Sequence, residues 1–71
     1  MVDTVKLGKR IRERRKEKGI TQAELAENLF VSTQAVSKWE RGVSIPEISN
    51  LIQLSFVLDT SVEYLIGVDR L

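Results

Sequence analysis

The 71-residue sequence contains no cysteine and no histidine. Without cysteine, neither a disulfide nor a thiolate metal site can form. Without histidine, the commonest general base and the commonest zinc ligand are both absent. The remaining residues show no nucleophile–base pair, no cluster of metal ligands and no glycine-rich phosphate loop. The sequence therefore predicts that the protein is not an enzyme and uses no metal or cofactor.

Long hydrophobic runs are also missing. The longest apolar region, residues 51–58, is interrupted by Gln53 and Ser55 and is far shorter than the roughly 20 residues that a membrane-spanning helix needs. The N-terminal part is charged from Lys6 to Lys18, so it contains no apolar core of a signal peptide. We expect a soluble cytoplasmic protein in which residues 1–71 form a single small domain.

The charges are unevenly distributed, although the formal net charge is only +1. Residues 1–42 carry 10 Lys/Arg and 6 Asp/Glu, whereas residues 43–71 carry 1 Arg and 4 Asp/Glu. Eight of the basic residues lie between Lys6 and Lys18. Such an asymmetry fits a domain that turns one face toward a polyanion, but charge alone favours the simpler interpretation of a solvated helix face.

Capping and periodicity signals predict five short helices and no strands, and hence a compact all-α domain. The expected ranges are about 5–18, 22–29, 33–41, 46–58 and 62–66. Glycines at 19, 42 and 67 suit helix ends, and Pro46 suits the first turn of the fourth helix. The expected N-terminal caps are Asp3 or Thr4, Thr21 in a capping box with Glu24, Ser32, and Thr60 or Ser61.

Helical spacing also predicts which side chains face the core. In the first three helices they are Leu7, Ile11, the stem of Arg14 or Arg15, Leu25, Ala26, Leu29, Val36 and Trp39. In the fourth helix they are Ile48, Leu51, Ile52, Ser55 and Leu58.

The third predicted helix has one apolar side and one side rich in hydrogen-bonding groups. Its outward positions are Thr33, Gln34, Ser37, Lys38 and Arg41. Only about three residues join it to the second helix, which is the spacing of a helix-turn-helix at about 22–41. Ser, Thr and Gln offer donors and acceptors matched to base edges, and Lys and Arg suit guanine or phosphate. This pattern predicts a helix that enters the major groove of double-stranded DNA.

Residues 20–42, "ITQAELAENLFVSTQAVSKWERG", and 44–67, "SIPEISNLIQLSFVLDTSVEYLIG", resemble the Cro/XRE family of phage-repressor-like helix-turn-helix proteins. The resemblance extends over about residues 7–67, with the motifs in the family order and spacing. It implies a five-helix bundle of the lambda-repressor type. It also implies a sequence-specific DNA-binding transcriptional regulator, most often a repressor that acts by occupying its operator.

The resemblance assigns roles to particular positions. It implies that Gln22 contacts phosphate and braces a base-reading side chain. It implies that Arg15 pairs with Glu40 and so ties the first helix to the third; the alternative is a surface ion pair that contributes little, typically below about 1 kcal/mol. Base-edge contacts are implied for Ser32, Thr33, Gln34 and Lys38. Contacts near the DNA backbone are implied for Ser37 and Arg41.

Family members commonly bind palindromic operators as homodimers, so the resemblance implies a dimer here as well. The apolar residues left after the core is assigned lie mostly in the C-terminal region and are Ile45, Tyr64, Ile66, Val68 and Leu71. We expect the homodimer to form through this region; the alternative is that these residues merely close the bundle. The alternative function is a protein-interaction module that keeps the fold without reading DNA. The polar stripe argues against that alternative, because an interaction helix more often presents apolar or aromatic anchors.

Two positions depart from the family pattern. The turn between the second and third helices usually holds Gly at positive φ, whereas this sequence has Phe30, for which that conformation costs roughly 1–2 kcal/mol. We therefore expect either a turn of different shape or a ring that is buried by local packing, rather than a partner contact. The other departure is Thr60, where the family commonly has Val, and we expect it to change only a cap.

Overall fold

The computed structural model describes residues 2–68, and these contain five helices and no strand. The helices are α1 (Thr4–Glu17), α2 (Gln22–Leu29), α3 (Thr33–Glu40), α4 (Ile48–Val57) and α5 (Val62–Ile66). The all-α prediction is confirmed, and the ranges of α2 and α5 agree with those expected. Helix α1 lies one residue earlier than predicted, and α3 ends one residue earlier. None of the described helices is both long enough and apolar enough to cross a bilayer.

Side-chain caps begin four of the helices. Thr21 accepts a hydrogen bond from the backbone of Glu24, whose carboxylate accepts one from the backbone N–H of Thr21, so the predicted capping box is present. Ser32 caps α3 through the backbone N–H of residue 35. Asp3, not Thr4, caps α1, and Ser61, not Thr60, caps α5. Each cap satisfies a backbone N–H that would otherwise lack a partner at the helix start.

Helix α4 begins later than the sequence predicts. Pro46 was expected in its first turn, but it lies outside the helix because Glu47 is extended, with φ −65° and ψ 160°. Glu47 is therefore the N-cap residue, and it makes no side-chain capping hydrogen bond. The proline is itself buried and ends the connection from α3.

Among residues 2–68, eleven hydrophobic side chains are buried in the core; they come from all five helices and from Leu58, which directly follows α4. In α4 the inward face was predicted correctly only in part. Leu51 and Leu58 are buried as expected, but Leu54, which was not predicted, is fully buried, whereas Ile48 and Ile52 are 67% and 46% exposed. Leu51, Leu54 and Leu58 follow one helical stripe, and the helix carries a second apolar stripe that periodicity cannot distinguish from the first. The second stripe, Ile48, Ile52 and Phe56, faces outward.

Helix α1 holds the other elements together. Gly8 lies against the last turn of α3, where a Cβ atom would collide with the carbonyl oxygens of Trp39 and Glu40. Arg14 donates hydrogen bonds to the carbonyls of residues 58 and 59, at the end of α4. Arg10 donates to the carbonyl of Tyr64 in α5, and its guanidinium lies 4.4 Å from the centre of that ring. The contact at Gly8 sets α3 against α1, and the arginine contacts hold the end of α4 and α5 against the same helix.

Candidate nucleic-acid interface

The turn between α2 and α3 has the shape of a helix-turn-helix. Phe30 ends α2 in the left-handed conformation, with φ 57° and ψ 40°, and α3 begins three residues later. The turn therefore does not differ in shape from the one glycine would make. Burial of the ring was also wrongly predicted, because Phe30 is 91% exposed. The next residue, Val31, packs against the core in its place.

The outer side of α3 carries polar side chains that have no partner within residues 2–68. Thr33, Gln34 and Lys38 are exposed, and their side chains make no hydrogen bond or ion pair with the described residues. Val36 and Trp39 on the inner side are buried, with Trp39 only 5% exposed. The helix is thus anchored on one side and leaves donors and acceptors accessible on the other.

The remaining polar residues of α3 make local hydrogen bonds. The hydroxyl oxygen of Ser32 accepts from the N–H of residue 35 at 3.1 Å, so Ser32 is held at the start of the helix. The hydroxyl oxygen of Ser37 accepts from Nε of Arg41 at 3.2 Å. This bond steadies the arginine but leaves both terminal nitrogens of its guanidinium available at the C-terminal end of α3.

A buried ion pair joins α1 to α3. Arg15 donates from Nε to one carboxylate oxygen of Glu40 at 2.6 Å and from Nη2 to the other at 3.0 Å. Its third nitrogen donates to the carbonyl of Ile20 at 2.9 Å. The hydrogen bond to Glu40 raises the pKa of Arg15 above its usual value, against the opposing effect of burial. The predicted pair is therefore present, and it is buried rather than at the surface: the two side chains are 11% and 3% exposed.

Gln22, at the start of α2, belongs to the same network. Its Nε2 donates to Glu40 at 3.0 Å, which fixes the amide plane. The other N–H and the oxygen of this amide have no partner among the described residues, so they remain available for hydrogen bonds to a ligand. The sequence placed Gln22 near DNA only through the family resemblance. No sequence pattern revealed its link to Glu40, because the two residues are 18 positions apart and no periodicity relates them.

The helix-turn-helix geometry agrees with the comparison with known families. A statistical description of the Helix-turn-helix family matches residues 11–65, which is most of the chain. The chain belongs to the helix-turn-helix family.

Named relatives of this helix-turn-helix chain include phage and bacterial regulators. The repressor protein C2 of Salmonella phage P22 is 43% identical over 68 residues, which are 96% of this chain and 32% of that protein. The transcriptional regulator DicA of Escherichia coli is 47% identical over 64 residues, 90% of this chain and 47% of that protein. The chain thus spans less than half the length of these two relatives.

A solved structure supports the same family relationship. The P22 c2 repressor in complex with a synthetic operator superimposes with a TM-score of 0.84 at 44% identity. The superposition covers 89% of this chain and 96% of that one.

Proposed function

We propose that this protein is a sequence-specific double-stranded DNA-binding transcriptional regulator. The proposal rests on the outer side of α3, where Thr33, Gln34 and Lys38 are exposed and have no partner among the described residues, while the opposite side of the helix is fixed in the core. Support comes from relatives that are named repressors and regulators, and from the similarity to a repressor bound to an operator. The protein would act as a cytoplasmic repressor, occupying an operator and excluding polymerase, and it would perform no catalysis.

The proposed roles of the side chains follow their positions on α3. In helix-turn-helix complexes the N-terminal part of the second helix meets base edges in the major groove. Gln34 would read adenine, because its amide offers a donor and an acceptor together. Ser32, Thr33 and Lys38 would contact neighbouring base edges. Gln22, Ser37 and Arg41 would hold the DNA backbone.

The hydrogen-bond network around the buried carboxylate of Glu40 supports the role proposed for Gln22. With one N–H committed to Glu40, the other N–H and the oxygen of the Gln22 amide are left in a fixed direction. A donor held in place loses little conformational entropy when it binds phosphate. An interaction module that does not read DNA is less favoured, since the outward stripe of α3 contains no apolar anchor.

Selection from a random duplex library at moderate salt would test this function. A DNA-binding regulator should enrich one motif and should also retard random duplexes in a gel at low salt, because the phosphate contribution does not depend on sequence. Failure to bind even non-specifically at low salt would contradict the proposal. If random duplexes were retarded but no motif were enriched, the proposal of sequence specificity would be contradicted and the proposal of DNA binding would stand.

We further propose that the protein binds a palindromic operator as a homodimer through its C-terminal region. Of the residues expected there, Ile45, Tyr64 and Val68 are exposed, Ile66 is half-buried, and Leu71 lies outside the described residues. The outward stripe of α4 adds the largest exposed apolar groups to this region, including Phe56 at 78% exposure. A symmetric dimer would place two α3 helices about 34 Å apart, one turn of DNA.

Sedimentation of the free protein and of its complex with the selected duplex would test the dimer. Phe56→Ser should weaken self-association without unfolding the protein, because the ring is mostly exposed. Phe30→Asn is the matched control: it removes an equally exposed ring outside the C-terminal region and suits the left-handed turn. A wild-type monomer both free and on a saturated operator would rule out the dimer. Dissociation by the control alone would place the interface elsewhere.

A further inference from the structure

The basic residues of α1 divide into two groups. Eight Lys and Arg lie between Lys6 and Lys18, the C-cap residue of α1. Half of them make contacts within the fold, with α3, the end of α4 and α5: Arg10, Arg14, Arg15 and Lys18. These four charges are explained by the structure of the bundle.

The other four basic side chains have no partner within residues 2–68. They are exposed and make no side-chain hydrogen bond or ion pair there: Lys6, Lys9, Arg12 and Lys16. Arg12 and Lys16 are four residues apart, a spacing at which like charges destabilise a helix. Lys16 lies in the last turn of α1, where a cation is favourable, but Lys9 and Arg12 lie outside that turn and do not gain this stabilisation.

Three of these side chains lie on the same side of α1. At 3.6 residues per turn, Lys9, Arg12 and Lys16 fall within an arc of about 60°. We call these three residues the basic strip. The exposed acids of the helix, Glu13 and Glu17, lie outside that arc, and Glu17 pairs with an arginine that already binds α4. Glu13, four residues after Lys9 and three before Lys16, borders the strip, but within the arc itself all three side chains are basic.

The basic strip lies beside the C-terminal half of α3. The flank of α1 that meets α3 is marked by Gly8, which lies under the carbonyls of the last turn, and by Arg15, which binds Glu40. Arg12 is about one turn from each of them and lies at the solvent edge of that contact. The strip therefore borders the end of α3 that carries the exposed cation of Arg41.

We propose that the basic strip is a second DNA-binding surface, which contacts phosphates of the strand bordering the groove that α3 enters. The inference depends on the proposed function, since it requires α3 to lie in that groove. Lys and Arg bind phosphate oxygens by charge-assisted hydrogen bonds and carry no base preference of their own. The strip would add affinity and orientation, whereas α3 would supply sequence preference.

The salt dependence of binding tests this surface. Arg12→Gln/Lys16→Gln removes two charges from the strip, and Lys6→Gln/Lys18→Gln removes the same charge from the same helix outside it. If both strip residues contact phosphate, the slope of log K against log salt becomes shallower by about 1.8 units, with the preferred sequence unchanged. The control should change the slope by less than half as much. Ethylation of the contacted phosphates should weaken binding of the wild-type protein, whereas ethylation of the same phosphates should have no effect on the strip variant.

The outcomes separate the two proposals. Equal slopes for wild type and the strip variant, or equal losses for strip and control variants, would overturn the inference while leaving DNA binding intact. A wild-type protein that binds no duplex at low salt would overturn the proposed function and the inference with it. Thermal unfolding should show that both double variants fold, because the strip side chains have no partner among the described residues and Lys18 of the control makes only an exposed ion pair with Asp59 at 3.5 Å. Lys9→Gln is a milder variant, expected to lower the slope by about one unit.

Discussion

The two sides of α3 differ in whether their polar side chains are hydrogen-bonded within the fold. On the inner side, Glu40 is 3% exposed at its side chain, and its carboxylate accepts three hydrogen bonds from two residues. On the outer side, Gln34 and Lys38 are exposed and have no partner within the described residues. A buried charge without partners is strongly unfavourable, whereas an exposed amide is satisfied by water and can exchange it for a ligand.

This difference shows how a small domain can fix the position of α3 without engaging the outward side chains that are proposed to contact DNA. The inner side fixes the position of α3 through packing and one ion-pair network. The outer side is then free to change with little effect on folding. Substitutions on the two sides should therefore separate cleanly into effects on stability and effects on DNA binding.

The largest effect is expected from Trp39→Ala on the inner side. The side chain is 5% exposed and is the only tryptophan, so its loss should lower the free energy of unfolding by roughly 3–5 kcal/mol, much of the stability of a small domain. Chemical denaturation monitored by circular dichroism would measure the loss. Native wild-type fluorescence should be blue-shifted. Emission at the wavelength of free tryptophan would contradict the burial on which the comparison depends.

The ion pair should give the next largest effect. Arg15→Met leaves the buried carboxylate, and Glu40→Gln leaves the buried guanidinium, without its opposite charge, which should lower the free energy of unfolding by about 3 kcal/mol. The double variant should recover part of the loss, because both partners are then removed. A double-mutant cycle measures this coupling. Coupling near zero would show that the inner side is held by packing alone.

On the outer side, Gln34→Ala should leave stability nearly unchanged and lower affinity for the preferred site by about 1–3 kcal/mol. Lys38→Ala should have a similar but smaller effect on the preference for the selected site. Its ammonium group is a single point of charge that can reach either guanine or a phosphate, and a phosphate contact carries no base preference. Arg41→Ala is the contrasting variant: it should weaken specific and non-specific binding alike and lower the salt slope by about one unit.

Salt series on the selected and a scrambled duplex would distinguish these three variants. If Gln34→Ala lost both affinities in parallel and kept the wild-type base preference, the outer side would not read sequence through this residue. If it instead lowered the free energy of unfolding as much as an inner-side variant, the separation between the two sides would be wrong.

The smallest effect is expected at the turn that leads into α3. Phe30→Gly relieves left-handed strain of roughly 1–2 kcal/mol, partly offset by the greater chain entropy of glycine, so the protein should become more stable by up to about 1 kcal/mol. Asp59, with φ 52°, is the control, because aspartate tolerates this conformation better and Asp59→Gly should gain less. Thermal unfolding measures both. A loss of stability in Phe30→Gly would show that the exposed ring contributes packing.

Local signals in the sequence predicted much of the fold. The capping box of Thr21 and Glu24, the cap at Ser32 and the spacing of Val36 and Trp39 each act within one or two turns, so neighbouring residues suffice to reveal them. The same short-range periodicity predicted the outward stripe of α3. Its roles in DNA contact stay predictions, because periodicity shows which side faces outward and not what binds there.

Only the tertiary structure decided the choices that depend on distant residues. It placed Leu54 rather than Ile52 in the core, since both stripes of α4 are apolar and only the neighbouring helices select one. It left the ring of Phe30 exposed and packed the next side chain, Val31, against the core, because the left-handed turn sets which of the two faces inward. It joined Gln22 to Glu40 across 18 residues, because the packing of α2 and α1 against α3 sets that distance and no local pattern encodes it.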